Sequence, residues 1–306
     1  MSTSASISYQ QLDALVTPIL MTLENGLYNQ RTEYSSVIAE KQGEKKQFQT
    51  VGKLYGMGNA VGRAAGDNIT YDQSGLEYMV NFYYQIYSLA FAIPEEAIDD
   101  GQGYNLLTQF TDHLGQAMTE TREWNGVNMF NYAFNPGYTQ TGGDGQPLIS
   151  ANHPTISDGT QSNLLNVSSI ISQSSIEQLL IQIRRGRDPR GKYINLKPKN
   201  LIVAPAQMYN AQVIMKSILR SDTATNAINP IEGTLGIHVL SRLTSDYAWF
   251  IQTEGAQGGG LTMYWRDKVK RAKESDFNTN SLRVKVNERY GMGWVDWRCI
   301  FGSPGV

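Results

Sequence analysis

The chain has 306 residues, enough for one large domain or two ordinary ones. Apolar residues make up 41% and aromatic residues 10%, which can build a core and excludes a disordered chain. Charged residues are only 18% and the net charge is −2, so no global field draws the chain onto nucleic acid or acidic lipid.

The N-terminus, Met1 to Gln11, has neither a positive n-region nor a long apolar h-region and does not read as a secretory signal. No apolar run approaches the roughly 20 residues that span a bilayer. The single Cys299 excludes an internal disulfide and a thiolate zinc cluster, so the chain reads as soluble and made in a reducing cytoplasm. Leu12, Leu15, Val16, Ile19, Leu20, Leu23 and Leu27 have helical spacing, interrupted at Pro18, and predict a short amphipathic helix or arm.

Ser35 to Gly75 changes character. It holds Lys41, Lys45, Lys46, Lys53 and Arg63 among many glycines, with too few apolar residues for a core of its own. At about 40 residues it exceeds the usual connection inside a compact domain. Phe48 to Val51 and Ile69 to Tyr71 have strand chemistry, which predicts an extended hairpin packing on something outside the protomer.

Leu76 to Ile93 is dense in aromatic and branched residues and favours a strand, closed by Pro94. After a turn at Asp99-Asp100-Gly101, Leu107, Phe110, Leu114, Ala117, Met118 and Thr121 lie on one helical stripe ending at Asn135-Pro136-Gly137. A helix of about 30 residues is a rod of roughly 45 Å, a structural spine. Asn135 to Asn163 reads as loop.

Ile176, Leu179, Leu180 and Ile183 predict a helix over Ser175 to Arg185, and Pro205 opens another through Leu219. Strands are expected at Leu201 to Ala204, Ile237 to Leu240 and Ala248 to Ile251. From Leu282 to Phe301 apolar residues alternate, with a phase change beside Gly291 and Gly293 where a bulge is expected. The architecture is mixed α+β.

No catalytic constellation stands out. His113, His153 and His238 are not spaced as a metal pair, and there is no Gly-x-Ser-x-Gly elbow. His153, in the turn Ser150-Ala151-Asn152-His153-Pro154, is the one histidine to weigh as a base, in a hydrolase reading. Gly56-Met57-Gly58-Asn59-Ala60-Val61-Gly62 nearly imitates a dinucleotide fingerprint but has one residue too many and no preceding buried strand. The basic run with Arg184, Arg185, Arg187, Arg190 and Lys192 suits an inter-subunit or solvated turn better than a phosphate site. Trp249, Trp265, Trp294 and Trp297 read as core. No cofactor and no metal are expected. A long helix, a protruding hairpin and a charge-poor surface suit self-assembly.

A resemblance sharpens this. Pro147-Leu148-Ile149-Ser150-Ala151-Asn152-His153-Pro154 and Gln161-Ser162-Asn163-Leu164 look like the post-spine loop of tailed-phage major capsid proteins. Asp188-Pro189-Arg190-Gly191-Lys192, Leu201-Ile202-Val203-Ala204-Pro205 and Asn226-Ala227-Ile228-Asn229-Pro230 follow in the same order. Leu243-Thr244-Ser245-Asp246-Tyr247-Ala248-Trp249-Phe250 and Arg289-Tyr290-Gly291-Met292-Gly293-Trp294 complete it. The pattern, from about residue 35 to the end, resembles Mu-like major head subunits of the Hong Kong 97 fold.

The resemblance implies an N-terminal arm at 1–34, an E-loop at 35–75 and a peripheral domain with its spine helix at 76–167. An axial domain at 168–265 would follow, then C-terminal strands at 266–306 returning to the peripheral domain. It implies a coat protein that self-assembles through hexamers and pentamers into an icosahedral head around double-stranded DNA, without sequence-specific DNA contacts or a membrane. Lys41, Lys45, Lys46, Lys53, Arg63, Arg184, Arg185 and Arg187 are the candidate inter-subunit contacts. A separate scaffolding protein, a portal and a decoration protein are the partners expected. Lys–Asn crosslinks between subunits, known in some relatives, cannot be placed on residues here. The rival with the same fold is an encapsulin-type compartment that encloses cargo protein.

Overall fold

A computed structural model describes residues 32–94, 103–138, 142–156, 159–218, 228–254, 260–276 and 278–305, together with Pro18 and Glu96. The expected N-terminal helix and the turn at residues 99–101 lie outside the described residues.

The strands are β1 (Ala39–Gln42), β2 (Phe48–Tyr55), β3 (Gly75–Tyr83), β4 (Gln85–Pro94), β5 (His153–Pro154) and β6 (Thr160–Gln161). After them come β7 (Lys197–Val203), β8 (Gly236–Val239), β9 (Trp249–Glu254), β10 (Leu261–Asp276), β11 (Ser281–Trp294) and β12 (Ile300–Ser303). The α-helices are α1 (Gly103–Asn131), α2 (Gln173–Arg184) and α3 (Met208–Lys216). One four-stranded sheet has the order β1-β10-β11-β4 and another the order β12-β9-β7-β8, while β2 and β3 form a separate hairpin.

The spine is the 29-residue α1, about 43 Å long. Leu107, Leu114 and Met118 are buried along its predicted stripe, whereas Phe110 lies at the margin and is exposed. Leu114 and Met118 pack against Val269 and Val286 of the first sheet. Toward its C-terminus Val127, Met129 and Phe130 enter a core shared by both sheets, where Phe130 meets Phe250 edge-on at 5.4 Å. A fully buried side chain of this size contributes about 1.5–3 kcal/mol. A second core fills the other side of the second sheet with Ile176, Leu179 and Ile183 of α2 and with Ala211 and Met215 of α3.

Helix α2 begins as its sequence dictates. Ser172 caps the Ser175 amide, and the Ser175 hydroxyl accepts from the Ser172 amide in return. Pro205 opens a single 3₁₀ turn before α3, which ends at Lys216, short of the expected Leu219.

Three expectations are corrected. The strand-like stretch Leu76 to Ile93 is two strands, broken at Tyr84: β3 belongs to the hairpin and β4 pairs with β11. The ladder irregularities put the extra residues in β10, between Trp265 and Lys270; the first faces Tyr290 and Arg289, next to Gly291, so the bulge is on the partner strand and not in β11 itself. The alternation of β11 fades there because its outer face becomes covered: a Cβ on Gly291 would lie 2.6 Å from the Tyr83 carbonyl oxygen. The alternating run to Phe301 is also interrupted, by the 3₁₀ turn Trp297–Cys299 capped by the Asp296 side chain. After that turn β12 pairs with β9, so the chain closes on the second sheet, and β10 has already begun at Leu261 in the first.

Candidate assembly surface

The β2–β3 hairpin has a buried root and an exposed end. At the root Lys53 Nζ donates to Asp296 Oδ1 at 2.9 Å and to the Tyr78 hydroxyl at 3.2 Å, and lies 3.1 Å from Glu77 Oε2. The Tyr78 hydroxyl donates to the Val295 carbonyl at 2.8 Å. Asp296 Oδ1 also receives the Arg298 backbone amide and Arg298 Nη1, each at 3.2 Å. Against the upward push of burial, the Lys53 and Arg298 charges hold the Asp296 carboxyl below its usual range. Burial pushes the Glu77 carboxyl up, against the opposing pull of Lys53.

Beyond Tyr55 the chain loses regular structure until Gly75, and every residue over 56–74 is exposed. Met57, Val61, Ile69 and Tyr71 lie in this stretch, Tyr71 at 92% exposure, and Leu54, Leu76 and Met79 extend the apolar surface onto the strands. The near-fingerprint glycines sit here on an exposed segment with no helix following. The base of this end is tethered to the basic turn: Arg190 Nη1 donates to Asp72 at 2.6 Å, and Lys192 reaches the Met57 carbonyl. The Gly58 amide and the Arg190 guanidinium lower the Asp72 carboxyl to about 2.

The candidate cations are dispersed. Lys41, Lys45, Lys46 and Arg63 are exposed around the hairpin, and Arg63 bonds the Asp67 carbonyl. Arg184 and Arg185 are exposed at the end of α2, while Arg187 lies half-buried over the Tyr193 ring at 4.9 Å. Lys53 departs from its expected surface role. It is 2% exposed because three groups of its own chain consume its ammonium.

His153 is buried, with Nδ1 2.6 Å from Asp144 Oδ2 and Nε2 3.1 Å from Asn163 Oδ1, and its ring stacks on Trp297 at 4.3 Å. The Asn163 amide nitrogen donates to the Leu148, Trp297 and Ile300 carbonyls, which fixes its oxygen toward His153. With both nitrogens engaged and no exposed surface, His153 ties the post-spine loop to the Trp297 turn, and a base on an external substrate is the wrong role for it. No group of three or more metal-ligating side chains occurs among the described residues.

Sequence reasoning missed the anchoring of the chain just before β1. The Glu123 carboxylate of α1 receives the Glu33 amide at 2.6 Å and the Tyr34 amide at 3.3 Å. Gly126 leaves room for the Tyr34 ring, since a Cβ there would lie 2.8 Å from Tyr34 Cβ. Arg242 then bonds Glu120 and approaches Glu33 at 3.5 Å. None of these charges stands in a motif, so spacing alone gave no signal.

A spine helix, a protruding hairpin with a pinned root and two sheets sharing a core are the parts of one known architecture. The family model described as phage capsid protein matches residues 85–302. The chain belongs to this family. It is a structural protein, a major capsid protein of the phage virion. Solved structures agree in fold at low identity. One from Mycobacterium phage Patience has a TM-score of 0.57 at 10% identity, covering 97% of this chain and 90% of that one. The capsid of cyanophage P-SCSP1u gives 0.53 at 10% identity over 88% and 86%. The procapsid of bacteriophage JBD30 gives 0.52 at 13% identity over 97% and 76%. No curated protein matches the chain in sequence.

Proposed function

We propose that this capsid protein builds an icosahedral head around double-stranded DNA from hexamers and pentamers of itself. The observation that carries this is the hairpin, whose root is bonded into its own protomer while its apolar end has no cover there. A neighbouring subunit is the cover. Within residues 35–75 the part that follows β1 acts as the E-loop, α1 and the first sheet, β1 included, act as the peripheral domain, and the second sheet with α2 and α3 acts as the axial domain. Residues 1–34 act as the N-terminal arm.

Lys41, Lys45, Lys46, Arg63, Arg184, Arg185 and Arg187 remain the proposed inter-subunit contacts, and Lys53 leaves that set. A near-neutral chain does not gather a genome by charge, so DNA enters a preformed shell without sequence-specific contacts. A separate scaffolding protein, a portal and a decoration protein complete the head, assembled in the host cytoplasm. The role is structural and not enzymatic.

Negative-stain electron microscopy of the chain, expressed alone and with candidate scaffold genes, tests the reading. Closed polyhedral particles are expected, and nuclease-protected DNA inside native particles separates a phage head from a cargo compartment. Persistent monomers under both conditions overturn it.

A further inference from the structure

A groove of about 500 Å³ opens between α2 and the chain that follows β6. Asn166, Gln178, Ile181, Gln182, Arg185 and Arg187 line it, and among the described residues no Asp or Glu does so. Gln178, Ile181, Gln182 and Arg185 recur three or four residues apart and share one face of α2 and its C-cap. Asn166, Gln178 and Arg185 are exposed, and their side chains make no hydrogen bond or ion pair among the described residues. Ile181 adds an apolar surface at 53% exposure. The walls are fixed from behind: Gln182 Nε2 donates to the Ser162 and Leu164 carbonyls, and Arg298 Nε to the Arg187 carbonyl.

Unspent side-chain amides offer donors and acceptors to the backbone of an extended peptide. A guanidinium beside them takes a carboxylate, and an exposed isoleucine takes an apolar side chain. The groove therefore fits an acidic peptide with one apolar residue, and the chain carries such a stretch between β4 and α1. Glu95-Glu96-Ala97-Ile98-Asp99-Asp100 sets four carboxylates around Ile98 with no cation among them, and Glu96 is exposed. Within one chain the two cannot meet. Pro94 pairs with Ser281, the first residue of the 14-residue β11, about 43 Å from Trp294 at its other end. Trp297, three residues beyond, lies on the groove wall. From Pro94 to Asp100 the chain reaches at most about 21 Å.

From this complementarity we propose that the groove on α2 binds the acidic stretch that joins β4 to α1 in a second copy of this chain. Arg185 meets a carboxylate, Arg187 adds its charge, and Ile98 covers Ile181. The contact rests on the capsid reading, because only assembly brings copies together. It gives two of the candidate cations a partner on the neighbouring subunit, at a surface separate from the apolar end of the hairpin. Its charges sit at an exposed rim, so added salt should weaken it and slow assembly.

Cysteine trapping and charge exchange test it on the full-length chain, under the conditions that yield particles. Gln178→Cys with Ile98→Cys should, on oxidation, give disulfide-linked dimers and longer ladders on a denaturing gel that neither single variant gives. Cys299 is buried and contributes none. Arg185→Glu with Arg187→Glu should raise the concentration at which particles appear by about tenfold or more, and Glu96→Lys with Asp99→Lys likewise. All four substitutions together should return it to within about threefold of wild type, with the urea midpoint unchanged throughout. Particles whose oxidised double-cysteine chain stays monomeric overturn the contact and leave the capsid reading intact. A disulfide within one chain assigns the stretch to its own groove and overturns the second copy. Where the cysteine pair itself blocks particles, failure of the fourfold exchange to restore assembly overturns the contact. Absence of particles from the wild-type chain, with and without scaffold genes, overturns the capsid reading and this contact with it.

Discussion

The root and the end of the β2–β3 hairpin belong to one excursion, yet they obey opposite rules. At the root, Lys53, Asp296 and Arg298 are taken out of water and compensated within the chain, so the hairpin leaves the body at a fixed place. At the end, Met57, Val61, Ile69 and Tyr71 remain in water without any core to enter. A hairpin buried at its root, and held at the base of its end only by exposed polar contacts from Arg190 and Lys192, carries apolar surface away from its own core. The burial it forgoes is available to another copy.

The largest expected effect breaks the root. Asp296→Ala removes the carboxylate and leaves the Lys53 and Arg298 charges buried without it, which costs about 3–5 kcal/mol. Urea unfolding of the unassembled chain reads this as a lower midpoint. A midpoint unchanged within about 0.5 kcal/mol would mean that water reaches the root and that it is no different from the end.

Glu288 sharpens the contrast, because it is a buried carboxyl with poor compensation. It is 1% exposed, lies 3.4 Å from Arg122 Nε, and neither of its oxygens accepts a hydrogen bond among the described residues. Burial pushes its carboxyl up to about 7, against the opposing pull of Arg122. The folded state therefore binds the proton more tightly than the unfolded chain. Stability should fall as pH rises from the ordinary carboxyl range through about 7, by about 3 kcal/mol in all. Glu288→Gln should flatten that dependence between pH 5 and 8, and an unchanged slope would assign it to another group.

Gly291 tests how tightly the root is seated. A Cβ there meets the Tyr83 carbonyl, which is backbone and gives little, so Gly291→Ala should cost about 1–3 kcal/mol. Thermal unfolding of the free chain is the readout, and a neutral outcome would mean that the junction of β3 and β4 moves freely over β11.

The sequence made the long elements legible and left the junctions hidden. Period and stop signals marked α1 and α2, since a stripe such as Leu107, Leu114 and Met118 needs no distant partner to be recognised. The hairpin was legible through a lack of apolar residues for a core, but its bounds were not: Val37 and Ile38 are buried in the first core, β1 pairs with β10, and the returning strand is Gly75–Tyr83 and not Ile69 to Tyr71. Hidden were Asp296, Glu77, Glu123 and Asn163, whose partners lie between 89 and 243 residues away for Glu123 and Asp296. The 3₁₀ turn at Trp297 was masked by accidental alternation of Val295, Trp297, Cys299 and Phe301, which reads as one strand although β11 ends at Trp294 and only Phe301 of these lies in β12. Lys53 looked like its neighbours Lys45 and Lys46, and only its register on β2 turns it inward.

The smallest effect on folding is expected at Tyr71, and there the contrast between root and end becomes decisive. Its ring is exposed and touches no core of its own chain, so Tyr71→Ser should leave the urea midpoint of the unassembled protein within about 0.5 kcal/mol. In a shell the same ring would be covered by a neighbour, and truncating a buried interface aromatic costs about 2 kcal/mol or more. The concentration at which particles appear by light scattering should then rise by about tenfold or more, multiplied by the many copies of the contact. A variant that unfolds early would show that the hairpin end packs on its own body. One that folds and assembles as readily as wild type would move the inter-subunit contact away from Tyr71, toward Leu54 and Met79 on the hairpin strands.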